Sequence, residues 1–433
     1  MTALANLVHL HRSGRPVGIY SVCSSHPWVL EATLRLAAQT GGHALIEATS
    51  NQVNQDGGYT GMRPGEFLGS VRKIAAAAGL PPERVLTGGD HLGPNCWQSL
   101  PSAEALDRSS VLVREYVEAG FRKIHLDCSM SCADDQDALG DEKIAARTAA
   151  LCEVAEQAWR RVGGPPPLYV IGSEVPVPGG AHETHELAIT TPQAARATIE
   201  AHQSAFAQRS LNDAWDRVIG LVVQPGVEFD HHRVIDYDPD KAAALSRSIL
   251  AVPGIVFEAH STDYQTPDAL RALVRDHFAI LKVGPGATFA MREALWSLAA
   301  IAGELSLESG AELKATVLRE MRRNPRYWAA YHRDPRRQDF ELQFSLSDRM
   351  RYYWGVPECV AACNRLFAEL TRTGMPYTLL SQYLSAQAAA IREGRLESDP
   401  RELVIDGIMQ TLRGYARACD PEGFNRVRGG GDR

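Results

Sequence analysis

The chain has 433 residues, 45% of them hydrophobic and 22% charged, enough to bury a sizeable core and balanced like a soluble globular protein. Its formal net charge of −7 excludes the basic face that nucleic acid or an anionic membrane surface would require. No stretch approaches the roughly 18 uninterrupted apolar residues of a membrane span. The N-terminal MTALANLVHLHRSGRP lacks the basic-then-apolar order of a signal peptide, so a cytoplasmic location is expected. Eight cysteines are scattered without a CxxC pair, which predicts reduced thiols there. Cys128 and Cys132, one helical turn apart, read as packing residues.

The predicted elements alternate. Short runs rich in Val and Ile occur at PVGIYSVC (16–23), HALIEAT (43–49), VLTGGDH (85–91) and KIHLDCS (123–129), then at LYVIGSEV (168–175), VIGLVVQPG (218–226), GIVFEAHS (254–261) and FAILKVGP (278–285). Each is too short for a helix by itself and reads as a strand. Between them lie windows such as PWVLEATLRLAAQ, SSVLVREYVEAGF and TPDALRALVRDHF, with apolar residues at i, i+3, i+4 and i+7, the pattern of amphipathic helices. Pro64 and Pro267 stand where helices should begin. Eight such units predict a parallel sheet closed into a (β/α)₈ TIM barrel over 1–305, with a doubly wound open sheet as the alternative. Residues 306–433 carry only helical windows and predict a helical extension packed on the barrel, ending in a disordered VRGGGDR tail.

In such a barrel the C-terminal strand ends converge on one cup. Here nearly every strand ends in polar residues: Ser21 and Cys23; Glu47, Thr49 and Asn51; Asp90 and His91; His125 and Asp127; Glu174; Gln224; Glu258 and His260; Lys282. Convergence on all strands is a stronger signal than any one motif. His91, His260 and Glu174 form a donor set suited to a divalent ion such as zinc or manganese, the other reading of each histidine being a hydrogen-bonded barrel residue. Asp90, Asp127, Glu47 and Glu258 are candidates for proton transfer, because crowded carboxylates have their pKa values pushed apart; orienting Lys282 or the histidines is their alternative role. The loop EATSNQVNQDGGYTG is rich in amides, with Asn51 and Gln52 placed to bind sugar hydroxyls. His125, Gln224 and Arg349 complete the expected substrate contacts. Arg349 lies in SLSDRMRYYW, which either packs on the barrel or reaches over the cup to hold phosphate. Neither GxxxxGK[ST] nor a strand-linked GxGxxG is present, so nucleotide-binding readings have no motif support.

The blocks SVCSSHP, LIEATSNQVNQDGGYTGM, GGDHLGPNCWQ, AGFRKIHLDCSMSC, GSEVPVPGG, VVQPGVEFDH, EAHSTDYQT and SLSDRMRYYW resemble those of the GatZ/KbaZ family over nearly the whole chain. That family takes in Z-type subunits of D-tagatose-1,6-bisphosphate aldolase and D-tagatose-6-phosphate 4-epimerases. The resemblance implies a TIM barrel related to class II aldolases, with Asp90 as a catalytic acid and His91 and His260 as metal ligands. Those aldolases place a third histidine on strand 6, where this chain has Gln224. The implied chemistry is retro-aldol inversion at C4 of a ketohexose phosphate, D-tagatose 6-phosphate to D-fructose 6-phosphate, assisted by zinc, manganese, nickel or cobalt. Lys282 would stabilise negative charge or, in a metal-free alternative, form a Schiff base. The alternative role for the chain is that of an accessory subunit for a Y-type aldolase partner. A homo-oligomer is expected.

Overall fold

The computed structural model describes residues 2–135, 138–173 and 187–423. The eight short runs form eight parallel strands: β1 (Ile19–Cys23), β2 (Ala44–Thr49), β3 (Val85–Leu92), β4 (Lys123–Leu126), β5 (Leu168–Ile171), β6 (Val218–Val223), β7 (Val256–Ala259) and β8 (Phe278–Val283). They close into one barrel in which β1 pairs with both β8 and β2. The expected TIM barrel is therefore the fold. A small antiparallel ribbon, Glu228–Phe229 with Val234–Ile235, was not foreseen, because two-residue strands leave no periodic signal.

Alternation along the strands decides what each face of the sheet buries. Tyr20, Val22, Ile46, Ile124, Tyr169, Phe257 and Leu281 point to the layer between sheet and helices. The other rows point inward, and they change character along the barrel axis. At the floor, Ile19, Leu45, Leu168, Val170, Val256 and Ile280 pack with Leu4, Leu7 and Val8 of the N-terminal helix Ala3–Arg12, which plugs that end. Two residues further along the same strands stand Ser21, Glu47, Glu258 and Lys282, joined by Lys123 at the start of β4; all five are buried. The apolar floor thus gives way to a polar cup within one strand length.

Helix starts follow the expected chemistry. Thr266 caps Pro267–Arg275, Thr191 caps Pro192–Gln208 and Asp399 caps Pro400–Cys419, each with proline at the first turn. Pro64 likewise opens a helix, where Glu66 accepts from the Arg63 amide at 2.8 Å.

Beyond Glu304 the chain is helical. Its last helix, Pro400–Cys419, packs against Pro27–Thr40, Pro267–Arg275 and Pro285–Glu304, burying Leu403, Ile408 and Leu412. Its Tyr415 hydroxyl donates to the Thr262 carbonyl just after β7 at 2.6 Å, and the Gly18 amide donates to the Cys419 carbonyl at 2.7 Å. The segment 345–354 is pinned across the loops after β6 and β7. The Leu346 amide donates to the His231 carbonyl at 3.0 Å and the Tyr264 hydroxyl to the Leu346 carbonyl at 2.6 Å. No helix among the described residues is long and apolar enough to cross a membrane.

This packing makes the last helix part of the barrel's wall. Leu412→Ala is expected to cost about 2–5 kcal/mol and to move a single unfolding transition, read by denaturant titration with both fluorescence and far-UV circular dichroism. Two separated transitions would show that the extension unfolds independently.

Candidate active site

Five strands contribute to one buried chain of alternating acidic and basic side chains. His260 Nε2 lies 3.0 Å from Glu258 Oε1, and Glu258 Oε2 pairs with Lys123 Nζ at 2.8 Å. Lys123 Nζ also meets Glu47 Oε1 at 2.7 Å. The second oxygen of Glu47 pairs with Lys282, whose Nζ lies 2.9 Å from Asp90 Oδ2. Asp90 Oδ1 then faces His125 Nδ1 at 2.9 Å. Position 88 on β3 must be glycine for this to fit, since a Cβ there would lie 2.5 Å from Glu47 Oε1.

The charges hold one another ionised. Burial opposes charge on Lys282, but Asp90 and Glu47 outweigh it and raise its pKa well above the usual lysine range. Burial likewise opposes charge on Asp90, and the cations Lys282 and His91 hold it well below the usual carboxylate range. Glu258 is depressed in the same way by Lys123 and His260, and Lys123 is raised by Glu258 and Glu47 against its own burial.

Three imidazoles meet above this chain. The ring of His91 lies 4.8 Å from that of His125 and 5.1 Å from that of His260. His91 Nδ1 is held by Asp127 Oδ2 at 2.7 Å and His260 Nε2 by Glu258, while His125 has both nitrogens engaged, Nε2 by the Gly172 carbonyl and Nδ1 beside Asp90 Oδ1, each at 2.9 Å. Donor atoms of Asp90, His91, His125 and His260 all lie within 4.8 Å of one another. Histidines oriented this way by carboxylates and carbonyls are the usual surroundings of a metal ion, so the donor set fits a divalent cation. A second cluster, Glu47, Asp90 and Glu258, is already neutralised by the two lysines. Burial lowers His260 to about 4 despite Glu258, which favours the neutral ring a metal requires. Burial also opposes charge on His91, but Asp90 and Asp127 raise it to about 8. His91 and Ser261 sit at φ of 48° and 51°, a backbone region costing on the order of 1–3 kcal/mol for such residues and concentrated at functional sites.

The cup opens into a cavity of about 670 Å³, lined among others by Cys23, Asn51, Gln52, Asp90, His91, His260 and Lys282, and on the far side by Tyr331, Arg349, Arg351 and Tyr352 of the extension. That volume suits a sugar phosphate.

The structure brings Glu47, Asp90, His91, His125, Asp127, Glu258, His260 and Lys282 into one cluster. Asp127 stands behind His91 and accepts from the amide and hydroxyl of Ser129 at 3.0 and 2.6 Å, so it orients the imidazole. Gln52 lines the cavity with its oxygen bonded to the Thr49 amide at 2.8 Å, and Asn51 accepts from Cys96 at 3.3 Å. Gln224 is buried, its oxygen accepting from the Gly226 and Val227 amides at 2.8 and 3.0 Å, which closes the turn after β6. Glu174 lies outside the described residues. The third imidazole is thus His125 on β4, which sequence reasoning had assigned to substrate. Lys123 was missed altogether. Its signal was the i, i+2, i+4 row Lys123, His125, Asp127 on one face of a strand.

Because Lys123 is wedged between two carboxylates, removing it leaves Glu47 Oε1 and Glu258 Oε2 without their cation in a dry interior. Lys123→Met is expected to cost about 3–5 kcal/mol, read as a lowered denaturant midpoint, and Lys123→Met/Glu258→Gln to recover part of that. A Lys123→Met protein as stable as the wild type would contradict the pairing.

The family model described as D-tagatose-1,6-bisphosphate aldolase subunit GatZ/KbaZ-like matches residues 4–420. A crystal structure of a probable tagatose 6-phosphate kinase from Sinorhizobium meliloti 1021 is 45% identical with a TM-score of 0.85, over 93% of this chain and all (100%) of that one. The YdjI aldolase from Escherichia coli K12 is 10% identical with a TM-score of 0.42, over 86% of this chain and 97% of that one. A fructose-bisphosphate aldolase from Campylobacter jejuni is 13% identical with a TM-score of 0.42, over 86% and 94% respectively. The chain belongs to the GatZ/KbaZ-like family.

Proposed function

We propose that the chain is a metal-assisted 4-epimerase of ketohexose 6-phosphates, interconverting D-tagatose 6-phosphate and D-fructose 6-phosphate. One observation carries the reading: Asp90, held ionised beside Lys282, lines the cavity at the edge of the three-imidazole cluster. C4 of a 2-ketose has no C–H made acidic by the carbonyl, so inversion there needs cleavage and re-formation of the C3–C4 bond. His91, His125 and His260 would hold the divalent ion, zinc, manganese, nickel or cobalt. When bound, it would polarise the C2 carbonyl.

The chain's own groups do the rest. Asp90 accepts the proton of the C4 hydroxyl as the C3–C4 bonding pair withdraws toward the carbonyl carbon, leaving an aldehyde at C4. Lys282 offers a fixed positive charge against the oxyanion of the three-carbon fragment. The aldehyde rotates within the cavity and presents its other face. The bond re-forms, and Asp90 returns the proton to the new C4 alkoxide. Lys282 is paired with two carboxylates and held protonated, so it lacks the lone pair a Schiff base requires. Asp127 acts through His91, and Glu47 and Glu258 through the lysines.

The family's description as an aldolase subunit supports a second reading, in which the chain stabilises a separate catalytic partner. Incubating the purified chain with D-tagatose 6-phosphate under Zn²⁺, Mn²⁺, Ni²⁺ or Co²⁺ separates the two. The epimerase reading expects D-fructose 6-phosphate. No product with any metal, together with restored aldolase activity on mixing with a Y-type subunit, would favour the accessory role.

Three further outcomes are expected. Asp90→Asn should lower kcat by about 10²–10⁴ while metal content, read by elemental analysis, persists; His91→Ala/His260→Ala should lose the metal. Borohydride added during turnover should leave the protein's mass unchanged, and a mass gain at Lys282 would restore the Schiff-base route.

A further inference from the structure

Barrels of this architecture commonly seat a phosphate on the loops after the seventh and eighth strands, against the open amides of the next helix. In this chain a side chain already occupies that seat. Asp263, four residues past the end of β7, turns its carboxylate onto the start of helix Pro285–Glu304. Its Oδ1 accepts from the Gly284 amide at 3.0 Å and the Gly286 amide at 2.8 Å, and its Oδ2 lies 3.1 Å from the Gly284 amide. Residue 286 is glycine, and a Cβ there would stand 2.7 Å from Asp263 Oδ1. Burial raises the carboxyl to about 6 against the lowering effect of the Gly286 and Gly284 bonds and of the Arg351 charge, so it is mostly ionised at neutral pH. Asp263 lines the same cavity as His260 and Lys282. A phosphoryl group brought to this turn would meet a negative charge and find the amides taken. A hydroxyl would find an acceptor.

Positive charge enters the cavity from the extension. The Arg349 guanidinium lies 3.2 Å from the centroid of the Tyr331 ring. Arg351 lies over Tyr352 at 4.6 Å and donates to the Tyr352 hydroxyl and the Asp348 carbonyl, both at 3.0 Å. Burial lowers the pKa of Arg349, and the charge of Arg351 lowers it further, the mark of two like charges sharing a dry wall. An anion placed between them relieves that repulsion and offers both guanidiniums charge-assisted hydrogen bonds.

We propose that the cavity takes ketoses bearing a single terminal anion, held by Arg349 and Arg351, and rejects ketose 1,6-bisphosphates because Asp263 fills the second anion seat. The proposal rests on the reading of the cup as a ketose site, but it concerns binding and not turnover. The test is calorimetric titration of the full chain with D-fructose 6-phosphate and D-fructose 1,6-bisphosphate. The 6-phosphate should bind at least about tenfold more tightly, since opposing like charges costs several kcal/mol. Asp263→Ser should shrink that ratio severalfold, and Arg349→Met should weaken 6-phosphate binding by about tenfold or more. Wild-type affinity for the bisphosphate equal to or above that for the 6-phosphate overturns the proposal, even if Asp263→Ser fails to fold. So does an unaltered ratio in folded Asp263→Ser, or unaltered 6-phosphate affinity in Arg349→Met. A preserved preference without any epimer would remove the epimerase reading and leave this one standing; epimer formation with indifferent binding would do the reverse.

Discussion

The cup is built around one electrostatic constraint: the unbroken chain of alternating acidic and basic side chains from His260 through Glu258, Lys123, Glu47, Lys282 and Asp90 to His125. Isolated, any of these groups would be costly to bury. Together they neutralise in pairs, and each link fixes the geometry of the next. Gly88 and the one-residue alternation of five strands follow from the room this chain requires. Its two ends are imidazoles, so the same network that makes the interior tolerable also aims two of the three clustered rings.

A division of labour follows. The strands carry the clustered polar groups, whose positions are fixed by the barrel's hydrogen-bonded register and by an apolar floor that the N-terminal helix closes. The extension carries the cover. Tyr331, Arg349, Arg351 and Tyr352 reach the cavity from outside the (β/α)₈ unit, held down by bonds from His231 and Tyr264 to the chain around Leu346. This wall of arginine and tyrosine brings positive charge to the cavity.

Much of this was legible in the sequence, for physical reasons. Runs of four to six apolar residues, enriched in Val and Ile and separated by amphipathic windows, admit few arrangements, so a parallel sheet followed, with closure into a barrel preferred over an open sheet. Polar residues at strand ends are expensive unless used, which made Asp90, His91, His125 and His260 visible before any fold was known. What was not legible depends on pairing across the barrel. Lys123 begins a strand and reads locally as a surface lysine; only closure of the sheet puts Glu47 and Glu258 on either side of it. His125 was seen as polar, but its place beside His91 and His260 is set by the register of β3 and β4. Gln224 stood where the resemblance expected a ligand, yet its amide closes a turn. Asp263 meets amides more than twenty residues further along the chain, a contact with no local signature.

In the proposed epimerisation the network serves bond cleavage between C3 and C4, which leaves the hydrogen on C4 untouched. Epimerisation of D-tagatose 6-phosphate in heavy water, read by proton and deuterium NMR of the product, tests this most directly. The account predicts D-fructose 6-phosphate that keeps its original protium at C4. Deuterium at C4 would mean inversion by proton abstraction there, and would contradict it.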